Sequence, residues 1–162
     1  MSNEPVTFVT TCQRADKLNS GDSFPNADIG SDRTMAISKL LIIEENRAVR
    51  TALRSILSSS QSIEVVATSR DIGQAHLHCG ANGPDVILLG LKGSGNRDVQ
   101  LTAREVAKLI LTGIPVIVLA SYSDDDEREL LLKAGISRYL LKDINSSQLI
   151  DEIIAVTPAR EL

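Results

Sequence analysis

Three stretches of this chain, residues 40–43, 86–89 and 116–120, are apolar at nearly every position, and each leads into a segment whose apolar residues recur at helical spacing. Runs this short match strands better than core helices. A strand without polar positions has no face to offer to water, a condition met in a parallel sheet covered by helices on both sides. Two further runs, 63–67 and 137–141, fit the same rhythm, and helical spacing covers 46–58, 71–79, 98–111, 123–134 and 146–156. The pattern predicts five strands alternating with five helices, every strand apolar throughout. Right-handed crossovers then give a doubly wound α/β domain.

Local signals mark the boundaries. Pro84 stands at the entry of the third strand, where no ladder donor is lost. Ser123 reads as an N-cap, followed by Asp124-Asp125-Asp126-Glu127 in the first turn and Lys133 in the last. That charge order suits the helix dipole, and Gly135 closes the helix.

Residues 1–35 break the rhythm, being rich in Ser, Thr, Asn, Asp and Gly, with Pro5 and Pro25. The expected organisation is a mobile N-terminal tail over 1–35, a folded domain over 36–157 and a C-terminal tail over 158–162. Met35, just before the ordered pattern, is a candidate start of the protein. Lys and Arg total 17 against 21 Asp and Glu, a net charge of −4, which argues against direct nucleic-acid binding. Aromatics are only 2%, so base-stacking platforms are lacking. No apolar run approaches the roughly 20 residues of a membrane helix, and no secretory signal opens the sequence. Cys12 and Cys79 lie in regions of different character and form no CxxC. A reduced, cytoplasmic protein without membrane attachment is expected.

Chemistry in such sheets collects beyond the carboxyl ends of the strands. Those ends carry Glu44-Glu45 on strand one, Gly90 on strand three, Ala120-Ser121 on strand four and Lys142-Asp143 on strand five. Two carboxylates facing a lysine can make a cation or phosphoryl site. They can equally be solvated strand-end charges in a salt bridge.

The run Leu41-Ile42-Ile43-Glu44-Glu45-Asn46-Arg47-Ala48-Val49-Arg50 resembles the first strand and helix of bacterial response-regulator receiver domains. Pro84-Asp85-Val86-Ile87-Leu88-Leu89 and Ile114-Pro115-Val116-Ile117-Val118-Leu119 are similar to their third and fourth strands. Lys133-Ala134-Gly135-Ile136-Ser137-Arg138-Tyr139-Leu140-Leu141-Lys142-Asp143 resembles the receivers that precede LuxR-type DNA-binding domains. The resemblance covers about residues 38–156 and implies a flavodoxin-like sheet of strand order 2-1-3-4-5. It implies that Glu44 and Glu45, where aspartate is usual, are the metal-binding pair, that Lys142 contacts the phosphoryl group, and that Tyr139 is the switch aromatic. Two positions depart from the family. The phosphoacceptor aspartate is replaced by Gly90, and the Ser or Thr ending strand four by Ala120. Glycine offers no nucleophile. Alanine cannot bond an oxyanion, and Ser121 should face the other side of its strand. Without a third carboxylate Mg²⁺ is weakly held at most, so no cofactor is expected. Lys142 is then expected to pair with Glu44 or Glu45.

Other signals are weaker. Gly93-Ser94-Gly95 lacks the ending of a P-loop and reads as a permissive loop. His76 and His78, two apart on a helix, would diverge, and Cys79 reads as a small apolar residue. Asp85 lies at the wrong end of its strand to accept phosphate, and Asp98 lies past the loop. The expectation is a pseudo-receiver, not an enzyme: a phosphorylation-independent module of signal transduction. Its partner would be a regulator or kinase-pathway protein, with homodimerisation through the 123–156 face. The alternatives are the receiver part of a LuxR-type transcription regulator whose DNA-binding domain lies outside this chain, and a small-ligand sensor using the vacated acidic pocket.

Overall fold

A computed structural model of the chain describes residues 36–92 and 98–159. The expected tail over 1–35, the Gly93-Ser94-Gly95 loop and residues 160–162 lie outside the described residues. In chain order the elements are β1 (Ser38–Ile43), α1 (Arg47–Ser58), β2 (Ile63–Ser69), α2 (Ile72–Ala75), β3 (Val86–Leu91), α3 (Val99–Ile110), β4 (Val116–Ala120), α4 (Asp125–Ala134), β5 (Arg138–Leu141) and α5 (Ser146–Val156). The strands form one sheet of order β2-β1-β3-β4-β5, parallel at every pairing, which is the flavodoxin-like arrangement.

Alternation along the central strands divides the core in two. Leu41, Ile43, Ile87, Leu89, Val116 and Val118 pack on one face against Ala75 of α2, Val106 and Leu109 of α3 and Leu131 of α4. Leu40, Ile42, Leu88, Ile117 and Leu119 face the other way, against Leu57 of α1 and Leu149 and Ile153 of α5. The expectation that every strand is apolar throughout is corrected at the edges. Glu64 and Val66 of β2 and Arg138 of β5 are exposed. An edge strand has no neighbour on one side, and its helical cover runs out there.

Each of these five α-helices begins on an Asn or Asp at the carboxyl edge of the sheet. Asn46, Asp71, Asp98, Asp124 and Asn145 each accept a backbone N–H from the first turn of the helix that follows. The cap of α4 is therefore Asp124, which accepts the Glu127 N–H at 3.0 Å, and not Ser123. The expected 71–79 helix is also shorter. It is α-helical only over Ile72–Ala75 and tightens to a 3₁₀ turn over His76–His78, with Gly73 weakening the α-helical stretch. Gly135, at φ +113°, closes α4 in the left-handed conformation that favours glycine.

At the opposite edge, Asp85 ties β1 to β3. Its Oδ2 accepts the Lys39 N–H at 2.9 Å, and its own N–H donates to Lys39 O at 2.7 Å. Among the described residues no helix is long and apolar enough to cross a membrane.

Candidate functional site

β1 ends at Ile43, and the next residue, Glu44, is only 2% exposed. Its backbone N–H donates to Ser69 O at 3.0 Å, and its own carbonyl accepts from Arg50 Nη1 at 2.7 Å. The side chain is held at both oxygens. Oε1 accepts the Asn46 N–H at 2.9 Å, and Oε2 lies 2.9 Å from Lys142 Nζ. Oε2 has no hydrogen bond of good geometry, so charge rather than direction holds that contact. Lys142 follows β5, anchored by its N–H donating to Ala120 O at 2.9 Å.

Two strands, β3 and β4, lie between β1 and β5. At ordinary strand spacing this separates the two backbones by about 14 Å. The pair closes because both side chains are long and because Gly90 leaves the space above β3 clear. A Cβ built on Gly90 would overlap Glu44 Oε2 and lie 2.9 Å from Glu44 Cδ. The carboxylate of Glu44 thus occupies the volume that any side chain at position 90 would enter. Gly90 is not the last residue of its strand, since β3 runs on through a buried Leu91.

The two glutamates do not act together. Glu45 is exposed and lines a cleft of about 390 Å³ with Arg70, Asp71, Gly90, Asp98 and Glu105, whereas Glu44 turns to Lys142. Consecutive residues of extended chain point to opposite sides, which separates them. The metal that the sequence resemblance implies at this place is Mg²⁺, which needs oxygen ligands converging in octahedral geometry. Here one glutamate has both oxygens engaged within the protein, and no cluster of three metal-ligating side chains exists among the described residues. As they stand, the residues do not fit the ion.

Ala120 is buried and carries no hydroxyl. Ser121 is exposed and donates to Leu91 O at 3.3 Å, closing off β3. Tyr139 packs against the core face shared with α2, α3 and α4, and its hydroxyl donates to Tyr122 O at 3.4 Å. Burial pushes its phenol above the ordinary value, and the charge of Glu127 adds to the rise. His76 and His78 are exposed on the 3₁₀ turn. Cys79 donates to Ala75 O at 3.4 Å, and burial pushes its thiol up, away from reactivity. Sequence reasoning missed Asn46 and Arg50. The cap signal Asn-x-x at the end of a strand could have found the first, but nothing local marks an arginine that will bond a carbonyl six residues earlier.

The response regulator receiver domain family matches residues 40–154. The chain is 29% identical over 119 residues to the transcriptional regulatory protein LiaR of Bacillus subtilis, covering 74% of this chain and 56% of that protein. It is 30% identical over 115 residues to the response regulator protein VraR of Staphylococcus saprophyticus, covering 71% and 54%. The chain thus spans about half the length of the curated relatives it matches. The fold is shared with the signal receiver domain of the NarL response regulator from Mycobacterium tuberculosis, at a TM-score of 0.62 and 20% identity over 77% of this chain and 99% of that one. Sheet order and the extent of the match agree, and this chain belongs to the response regulator receiver domains.

Proposed function

We propose that this receiver domain works without aspartyl phosphorylation, as a module that takes part in signal transduction through contacts with another protein. The observation that carries the reading is the content of the strand-end site. Position 90 has no nucleophile, and the space beside it is filled by the Glu44 carboxylate, already paired with Lys142. A phosphoryl group would have neither an acceptor nor a free lysine, and Ala120 offers it no hydroxyl. Gly90, Glu44, Glu45, Ala120 and Lys142 form a degenerate phosphorylation site on this reading, and Tyr139 marks the old switch position without a trigger.

The test is incubation of the full chain with acetyl phosphate and Mg²⁺, read by intact mass. No gain is expected. A gain of about 80 Da, one phosphoryl group, mapped anywhere in residues 36–156, overturns the reading and sends the search to Ser94, Asp98 or Ser121.

A second reading concerns the larger protein. Relatives that include a transcriptional regulatory protein are about twice as long as the matched part, which supports a receiver that serves a separate LuxR-type DNA-binding domain. Immunodetection of the native gene product at well over 17.5 kDa would favour it.

A further inference from the structure

We propose that Glu44 and Gly90 are a matched pair. The glutamate is a strut that fixes Lys142 across the two middle strands, and the glycine is the clearance it requires. The proposal deepens the phosphorylation-independent reading by naming what holds the site in one state. In that reading the missing side chain at 90 is a loss. Here it is also a requirement.

The geometry supports this at each atom. Glu44 must cross above β3 to meet Lys142, and the first carbon of any side chain at 90 falls on its Oε2. The carboxylate cannot easily swing aside. Oε1 is tied to the Asn46 N–H at the cap of α1, the residue is 2% exposed, and its backbone is held by Ser69 and Arg50. Leaving Lys142 would strand a charge with almost no water around it. An aspartate at 44 would be one methylene shorter and would have a harder reach across two strands. The strut joins the carboxyl end of β1 to the segment that leads from β5 into α5. Any rearrangement of that segment must therefore first break this pair.

The experiment is thermal unfolding of the full chain with Gly90→Ala placed in three backgrounds: wild type, Glu44→Gln and Glu44→Ala. In wild type and in Glu44→Gln, which keeps the volume, Gly90→Ala should lower Tm by about 5 °C. In Glu44→Ala, where the space is open, the same change should move Tm by less than about 2 °C. Failure of Gly90→Ala to fold in wild type with recovery in Glu44→Ala supports the proposal equally. Equal losses in all three backgrounds, failure to fold in all three, or no loss in wild type overturns it. Phosphate uptake is a separate readout. Uptake with this coupling intact overturns only the phosphorylation-independent reading, and additivity without uptake overturns only the strut.

Discussion

The Glu44 carboxylate fills the volume that a side chain at position 90 would enter. On the proposed phosphorylation-independent reading, an aspartate at position 90 is the direct way to supply an acceptor, yet Gly90→Asp alone places its side chain against Glu44 Oε2. The variant expected to work is Glu44→Asp with Gly90→Asp, which withdraws one carboxylate as it adds the other. Without metal the acidic groups repel, so this double variant should melt below wild type, and Mg²⁺ should recover it because the ion binds only the folded state. Gly90→Asp by itself should gain little from Mg²⁺. Thermal shift with and without Mg²⁺ on the two variants checks this. A larger Mg²⁺ response from the single variant would show that Glu44 moves aside freely.

At the scale of the element, the caps and one tyrosine make separable contributions. Asp124 caps α4 and Ser123 does not, so Asp124→Ala should cost about 1 kcal/mol of stability and Ser123→Ala only a few tenths. Denaturant unfolding of the two variants side by side tests the assignment. Tyr139 ties β5 to the chain before α4, and its phenol is raised above its ordinary value, with burial as the first cause. A raised phenol means that the folded state keeps its proton longer than the unfolded one. The associated stability is fully present below about pH 10 and is lost as pH rises through the folded value. Tyr139→Phe should remove that part of the alkaline decline, visible as a flatter dependence of unfolding free energy on pH above about 10. An unchanged alkaline slope would assign the decline to other groups.

For the molecule as a whole, the buried members of both core clusters among the described residues lie within 40–153. Because residues 1–34 lack a core-facing apolar pattern in the sequence, a chain beginning at Met35 should melt within a few degrees of the full chain. A drop of about 10 °C would mean that residues 1–34 contribute to the fold. Association through the 123–156 face, if it uses charge, has fewer free groups than a count of its residues suggests. Arg138 already pairs with Glu152 at 2.9 Å and Lys133 with Glu129 at 2.8 Å within the chain. Such exposed pairs contribute little to stability. Within this stretch Leu132 and Ile154 are exposed apolar side chains.

Much of this was legible in the chain itself, because it is local. Apolar runs of strand length at 40–43, 86–89 and 116–120 with helical spacing between them are enough to specify a parallel sheet with helices on both faces. Lys142 just after the fifth strand and its pairing with Glu44 or Glu45 could be read in the same way. Boundaries shifted by a residue or two where neighbouring cap residues compete, as at Ser123 and Asp124. Other features depended on which strands end up side by side. Local sequence cannot say which of Glu44 and Glu45 meets Lys142, since both are glutamate. The choice is made by the alternation of extended chain and by two strands of the sheet standing between β1 and β5. The same placement turned Gly90 from a simple absence into the floor beneath another residue's carboxylate, a relation between positions forty-six apart that only the folded sheet creates.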